Sequence, residues 1–416
     1  MPFLNRKVRK MSSKWTYMVY MAGDNNLSTA GDEDLKEMRQ VGSSSDINIL
    51  VQFDNAGNEG TRRFHIKRGG VNDKVEDLGK TDSGDPHILE DFIAWCCGNY
   101  PADRYALILW NHGGGWEPGD LDRMARSERT KNWNAREASS RSASKLKKTF
   151  FSTTVSEILN LGTPKLREIC CDDGSGHSLD TIELGEVLAF AMDKIGQPLD
   201  ILGMDACLMS NLEVAYQAEP YVRYIVASEE NEPNEGWPYN AILGMLNKNP
   251  EISTPEFCSK IVRLYTKTYK EWGQSDVTQS AFDLSRIKDT TKCLDSLAEA
   301  LIDQMPGIVN DIRRAQRISM SFDDDKLWDI SHFCKELSGL TQENSVVQAT
   351  QKVIEEFEPD SEKLIIAESH LGQDYDHCCG ASIYMPTWRI SKYYADLKFA
   401  KDIKNWPLML QNYNEY

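Results

Sequence analysis

A cysteine stands where a predicted buried strand gives way to a helix, and this position suits a nucleophile. The apolar run Leu199–Met204 predicts a short strand, and residues 211–217 predict the start of a helix, so Cys207 lies between them. Open α/β sheets bind their ligands at the carboxyl ends of the strands. Backbone N–H groups at a helix start also favour a thiolate. The alternative is an ordinary core cysteine, because cysteine is among the most often buried residues.

A histidine occupies the equivalent position after a second apolar segment. Tyr105–Trp110 predicts another buried strand. Asn111 and His112 follow it, and three consecutive glycines come directly after the histidine. A base at one strand end and a thiol at another is the arrangement that a cysteine nucleophile requires. The backbone N–H groups of Gly113 and Cys207 would polarise a substrate carbonyl oxygen. Taken alone, His112 is equally well explained as a turn residue, but the two motifs together favour catalysis.

Three motifs in this order resemble those of the clostripain family of cysteine peptidases. They are YMVYMAGDNNL at residues 17–27, NHGGG at 111–115 and MDAC at 204–207. The resemblance covers most of the chain from about Trp15 to Pro238. It implies the caspase-like fold, which caspases, gingipains, legumain and separase share. It also implies a catalytic dyad, His112 and Cys207, without an obligatory third carboxylate.

Asp205 is the basis of a predicted preference for arginine or lysine before the cleaved bond. It lies two positions before Cys207, so both side chains point the same way if strand geometry persists. Glu229 and Glu235 follow the predicted strand 221–227 and should border the same cleft. A guanidinium pairs bidentately with a carboxylate, which favours arginine over lysine. The resemblance implies the same preference, and the alternative role of Asp205 is a cap of the following helix.

The polar segment 170–180 offers a rival histidine and a rival ligand. His177 could serve as the catalytic base, but no apolar strand precedes it. The resemblance suggests calcium binding, and Asp172–Gly176 supplies oxygen atoms, although the chain contains no EF-hand spacing. We therefore predict that no cofactor is required, with calcium binding as the alternative.

A basic insertion separates the two catalytic motifs. Residues 121–148 contain nine Lys or Arg side chains against three Asp or Glu and show no apolar period, which predicts an exposed flexible loop. Proteolytic nicking concentrates in such loops, and the resemblance implies maturation into two chains. We predict self-cleavage within this loop, with Lys147 or Lys148 as the best sites. Before cleavage, the basic loop would occupy the acidic cleft as a pseudo-substrate, making the protein a zymogen.

Composition limits the class of partner and the compartment. A net charge of −17 argues against a general nucleic-acid binder and suits cationic protein or peptide substrates. No apolar run approaches the roughly 20 residues of a membrane helix. The basic segment 1–10 is not followed by an apolar signal region, and three vicinal pairs among ten cysteines predict reduced thiols. Both features favour a cytoplasmic protein, with secretion as the alternative if the N-terminus is trimmed or non-standard.

Alternating strands and helices predict a mostly parallel α/β sheet flanked by helices. We predict a basic tail at 1–14, a peptidase domain at 15–300 with an insertion at about 117–178, and a smaller helical or α+β region at 301–416. Asn26 or Ser28 would cap the first helix. The rival function is a non-catalytic caspase-like binding or scaffold protein. A redox protein is disfavoured, because the chain lacks a Cys-x-x-Cys motif at a helix start.

Overall fold

The computed structural model describes residues 12–56, 60–116, 169–172, 177–322 and 326–416. The strands are β1 (Ser13–Gly23), β2 (Ile47–Asn55), β3 (Gly60–His65), β4 (Lys74–Gly79), β5 (Ala102–Trp110), β6 (Ile169–Asp172), β7 (His177–Leu179), β8 (Leu199–Asp205), β9 (Val222–Ala227), β10 (Val277–Asp283), β11 (Ser321–Phe322), β12 (Leu327–Asp329), β13 (Ile365–Leu371) and β14 (Ser382–Tyr384). The α-helices are α1 (Ser28–Val41), α2 (Pro86–Asn99), α3 (Thr181–Ile195), α4 (Leu212–Ala218), α5 (Tyr239–Lys248), α6 (Thr254–Glu271), α7 (Ile287–Ile318), α8 (Ile330–Leu340), α9 (Asn344–Phe357), α10 (Lys398–Asp402) and α11 (Asn405–Glu415).

A nine-stranded sheet has the order β13-β10-β9-β8-β5-β1-β2-β3-β4. The five strands from β9 to β2 are parallel. Antiparallel pairing adds β3 and β4 at one edge and β10 and β13 at the other. Neighbouring parallel strands end at the same edge of a sheet, so the loops after β5 and β8 leave it side by side. This architecture confirms the predicted α/β fold class.

The central strands are apolar on both faces because helices cover both faces of the sheet. In β1, Met18 and Tyr20 join one buried cluster, whereas Tyr17 and Val19 join the other. The first cluster includes residues of α2, α3, α4 and α7, and the second includes residues of α1, α5 and α6. Alternation along each strand therefore divides the core into two layers around the sheet.

Two helix predictions differ from the structure. The sequence pattern of residues 287–305 predicts a helix, which does not stop before Pro306 but continues as α7 to Ile318. Ile308 and Ile312 keep the same face buried, and this packing outweighs the hydrogen bond that the proline removes. The sequence pattern of residues 327–340 also predicts a helix, but this segment begins as strand β12, and α8 starts only at Ile330.

The C-terminal region is built into the same fold rather than standing beside it. The predicted boundary at residue 300 falls inside α7. Strand β13 completes the main sheet beside β10, and β14 forms a small sheet with β12 and β11. Residues of α8, α9 and α11 join the buried cluster that also contains β5 and β8 side chains. The predicted separation into two regions therefore does not describe the packing.

Several predicted features fall outside the described residues. They are residues 1–11 of the predicted tail, residues 117–168 and 173–176 of the predicted insertion, and the candidate cleavage sites Lys147 and Lys148. The last two residues of the predicted tail belong to β1, and the end of the predicted insertion forms β6 and the start of β7. Over the described ranges, none of the helices has the length and apolar character that crossing a membrane requires.

Candidate active site

A cleft of about 790 Å³ opens at the carboxyl edge of the parallel strands. His112, Asp205 and Cys207 all line it, and the segments 230–236 and 274–276 contribute further walls. The structure therefore brings together the predicted base, the predicted nucleophile and the carboxylate that the sequence placed beside them.

Cys207 lies in a turn between β8 and α4, several residues before the helix. Helix α4 begins at Leu212, and the side chain of Asn211 accepts a hydrogen bond from the backbone N–H of Val214 at 3.0 Å. Leu208 adopts a φ of +64°, a region that L-residues rarely enter, and Asn211 Nδ2 donates to the Leu208 carbonyl at 2.9 Å. The prediction that the backbone N–H groups of a helix start favour a thiolate at Cys207 is therefore wrong. The capping role weighed for Asp205 belongs to Asn211.

Burial raises the pKa of the Cys207 thiol to about 12. The backbone N–H groups of Glu232 and Gly113 act in the opposite direction, and the Glu232 N–H lies 3.3 Å from Sγ. The negative charges of Glu232 and Glu230 add to the rise in pKa. The thiol is therefore protonated at neutral pH and needs a base before it can attack a carbonyl.

Burial lowers the pKa of His112 to about 4, which keeps the imidazole neutral at physiological pH. Its Nε2 lies 3.2 Å from Asn26 Oδ1. Asn111 fixes the adjoining backbone, since its N–H donates to the Asp205 carbonyl at 3.2 Å and its Oδ1 accepts from Asn25 Nδ2 at 3.1 Å. The imidazole is thus in the protonation state that a general base requires.

The asparagines after β1 lie at the site although their positions in the sequence did not predict it. Asn26 contacts His112, and the residue before α1, Leu27, supplies no side-chain cap. Ser28 Oγ instead donates to Asn55 Oδ1 at 2.8 Å. The predicted capping role of Asn26 or Ser28 is therefore wrong. The available signal was that these polar residues also follow a buried parallel strand.

Gly113 is where the histidine loop and the cysteine loop touch. A Cβ atom at this position would lie 2.3 Å from the Cys207 carbonyl oxygen and 3.0 Å from its nitrogen. Only glycine permits so close an approach of two backbones. The Gly113 and Cys207 amides therefore lie together beside the thiol, and their role as oxyanion donors stays a prediction.

Asp205 forms part of a buried carboxyl pair. Its carboxylate accepts a hydrogen bond from Tyr239 Oη at 2.8 Å and from the Trp237 N–H at 3.2 Å. Its side chain also bonds to that of Glu232, and burial raises the pKa of both groups. Two carboxyl groups in contact at low dielectric share a proton, because ionising both places like charges together.

The two other predicted substrate residues lie in different places. Glu235 is exposed at the cleft and accepts from Gln274 Nε2 at 3.2 Å. Glu229 is buried outside the cleft lining, where its carboxylate accepts from the Gly380 N–H at 3.0 Å. The prediction for Glu229 is therefore wrong. Glu232, which was not predicted as a site residue, occupies the position beside Asp205.

Apart from His112, the ionisable side chains Asp, Glu, Lys and Arg of the described cleft lining are all acidic, and Lys and Arg are missing from it. The six acidic residues are Asp205, Glu230, Glu232, Glu235, Asp276 and Asp374. The cleft therefore presents negative charge around the neutral thiol and imidazole.

Segment 170–180 contains the rival histidine and the candidate calcium loop. His177 lies on β7, in a two-stranded sheet formed with β6 and separate from the main sheet. Residues 173–176 of the candidate calcium loop lie outside the described residues. Among the residues that the structure does describe, no group of three or more His, Cys, Asp or Glu side chains could hold a metal ion.

Comparison with known proteins confirms the family that the three motifs resemble. The model of the clostripain family matches residues 19–141 and 158–412. Clostripain from Hathewaya histolytica is 25% identical over 351 residues, which are 71% of this chain. The match spans only 58% of the length of that relative.

Solved structures show the same fold. One is a secreted C11 cysteine protease from Bacteroides thetaiotaomicron in complex with an irreversible peptide inhibitor, with a TM-score of 0.64 and 20% identity over 95% of this chain and 100% of that chain. Another is an inactive zymogen C11 protease from Parabacteroides distasonis, with a TM-score of 0.64 and 18% identity over 94% and 99% of the two chains.

The lowered pKa of His112 predicts how the reactivity of Cys207 depends on pH. Protonation of the imidazole removes the base, so alkylation of Cys207 by iodoacetamide should slow on acidification. We expect the midpoint of this loss below pH 6.5, the ordinary pKa of histidine, because the pKa is lowered to about 4. The measurement is the rate constant for alkylation between pH 4 and 8, with His112→Ala as the control. A midpoint at or above 6.5 in the wild type contradicts the assignment.

Proposed function

Because the chain belongs to the clostripain family of cysteine peptidases, we propose that it is an endopeptidase that uses Cys207 and His112. The observation that carries the proposal is a single acidic cleft lined by a buried thiol and a neutral imidazole. The rival role of a non-catalytic scaffold would not require these two groups at one cleft. The intact motifs around both residues favour the enzyme.

The proposed reaction uses only groups of this chain. His112 takes the proton of Cys207, and the thiolate attacks the peptide carbonyl carbon. The Gly113 and Cys207 amides would hold the resulting oxyanion. His112 then gives its proton to the leaving amine, and a water molecule activated by the same imidazole hydrolyses the thioester. We propose no resident cofactor, and calcium has no assigned site among the described residues.

We propose cleavage after arginine or lysine, with Asp205 and Glu232 as the residues that bind the basic side chain. Glu232 lines the cleft beside Asp205, and the Trp237 and Gln279 side chains donate to its Oε1 rather than to its Oε2. An arriving guanidinium would replace the proton that the two carboxyl groups share. Arginine should bind better than lysine, because its planar fork carries several donors that can reach two carboxylates. Glu235 adds negative charge at the exposed part of the cleft.

For the compartment, we propose the secreted alternative. A protein of the same fold, the B. thetaiotaomicron protease, is described as secreted.

The proposed dyad predicts the effect of removing either side chain. Cys207→Ala and His112→Ala should each lower kcat for peptide hydrolysis by at least about 10²-fold, and the double variant should lose little more. The matched controls are Cys258→Ala, which removes a buried thiol outside the cleft, and His87→Ala, which removes an exposed histidine. Near-normal turnover by Cys207→Ala would sink the proposal.

The carboxyl pair predicts the effect of removing charge without changing shape. Asp205→Asn and Glu232→Gln should each lower kcat/KM for arginine substrates by about 10²–10³-fold, since leaving a buried charge without its partner costs roughly 3–5 kcal/mol. Substrates with neutral citrulline should respond far less. Glu235→Gln serves as the control and should change the value by less than about fivefold, because exposed charges interact weakly. A wild-type preference for aspartate or a large apolar residue would refute this specificity.

We also propose self-cleavage within residues 121–148, with Lys147 or Lys148 as the best sites. The proposal is supported by the basic composition of this segment and the acidic lining of the cleft. The P. distasonis neighbour is described as an inactive zymogen, which fits activation by cleavage. The two fragments should stay associated, because β5 and β8 are paired in one sheet.

Intact mass spectrometry tests this proposal. Wild-type protein should appear as two fragments, Cys207→Ala as one chain, and the double variant Lys147→Ala/Lys148→Ala as an uncut or differently cut chain. A wild-type protein that is fully active and yet remains a single chain contradicts activation by cleavage.

A further inference from the structure

The loop that carries the nucleophile is tied to strand β14 of the C-terminal region. Ser210, three residues after Cys207, has a carbonyl that accepts from the Ser382 N–H at 3.0 Å and from Ser382 Oγ at 3.2 Å. Ser210 Oγ donates to the Gly380 carbonyl at 2.8 Å. All these groups are buried, so each bond is costly to lose. The backbone after Cys207 is therefore held by Ser382.

The loop that carries His112 is tied to the same strand through Trp116. The Trp116 ring packs edge-to-face on Tyr384, with centroids 4.6 Å apart, and on Tyr394 at 5.0 Å. Thr181 Oγ1 donates to the Trp116 carbonyl at 3.2 Å. The Trp116 side chain is 2% exposed, so this contact is a core contact rather than a surface one. The end of the histidine loop is therefore held by Tyr384.

Tyr384 is itself fixed from the nucleophile side. Its N–H donates to Glu213 Oε1 at 3.1 Å, and the hydroxyl of Tyr394 donates to the same atom at 3.0 Å. Glu213 lies on α4, the helix that follows the cysteine loop, and is fully buried. The three residues of β14 thus contact the nucleophile loop at one end and the aromatic anchor of the histidine loop at the other.

We propose that β14 aligns the two catalytic loops and that Trp116 and Tyr384 are positioning residues for the reaction. The three glycines between His112 and Trp116 give this loop unusual conformational freedom, so its far end needs an anchor. A misplacement of about 1 Å between reacting groups costs about 10²-fold in rate. This inference rests on the proposed function and gives the C-terminal region a role in catalysis.

The first test compares Trp116→Ala and Trp116→Phe with Phe357→Ala. Phe357 is equally buried in the same apolar cluster but lies on α9, which packs against α7 and α8. We expect Trp116→Ala to lower kcat about 10²-fold with little change in KM. Trp116→Phe should restore most of the rate, because a ring remains on Tyr384. Phe357→Ala should lower the melting temperature to a similar extent and leave kcat unchanged.

The second test measures the alignment of His112 with Cys207 by a reaction other than peptide hydrolysis. Alkylation of Cys207 by iodoacetamide at pH 7 should be as slow in Trp116→Ala as in His112→Ala, because a displaced imidazole cannot take the proton. Thr181→Val removes one anchoring hydrogen bond with little loss of packing and should slow alkylation to an intermediate rate. It keeps the inference testable if Trp116→Ala does not fold.

Several results overturn the inference. One is a rate of Cys207 alkylation in folded Trp116→Ala that equals the wild-type rate. Another is a loss of kcat in Phe357→Ala that equals the loss in Trp116→Ala. A wild-type protein without peptidase activity would instead refute the proposed function, and the alkylation comparison would still decide whether Trp116 positions His112.

Discussion

The site depends on the parallel pairing of β5 with β8. Trp110 lies opposite Asp205 in this register, and the Asn111 N–H donates to the Asp205 carbonyl one residue beyond the strand end. The pairing brings two chain segments nearly a hundred residues apart to one edge of the sheet. The two loops can approach this closely only because Gly113 lacks a side chain, since a Cβ there would overlap the Cys207 carbonyl. One backbone contact thus holds the loop of His112 against the loop of Cys207.

Burial sets the protonation state of every ionisable group that the proposed reaction uses. It raises the pKa of Cys207, lowers that of His112, and raises those of Asp205 and Glu232. The negative charge of Glu232 also disfavours a thiolate. In the proposed reaction, a cationic substrate side chain would neutralise that charge and ease ionisation of the thiol. Recognition of a basic residue and activation of the nucleophile would then be two effects of one electrostatic contact.

Residues beside regular, buried strands could be predicted from the sequence. The strands that precede His112 and Cys207 are continuous apolar runs, so their ends were recognisable, and the polar residues after them could be assigned to one edge. The loop after β9 has no such period. Its position after a strand end predicted Glu229 at the cleft, but Glu232 lies beside Asp205 there, whereas Glu229 accepts a hydrogen bond from the Gly380 N–H.

Tertiary packing decides the features that local pattern could not predict. Helix α7 passes through Pro306 because its buried face continues to Ile312. Strand β14 is three residues long and carries no chemical motif, so nothing in its sequence indicates that Ser382 and Tyr384 hold both loops. Such short strands acquire their role only from the residues that pack on them.

Active-site labelling tests the central claim most directly, namely that Cys207 attacks substrates whose basic side chain is bound by buried carboxyl groups. Two peptidyl acyloxymethyl ketones would be compared that differ only in arginine or citrulline at the position before the reactive ketone. Peptide mass spectrometry should find the arginine reagent on Cys207 alone, and the citrulline reagent should react at least about 10²-fold more slowly, as loss of a buried charge pair requires. Equal rates for the two reagents, or labelling of another cysteine, would contradict the account.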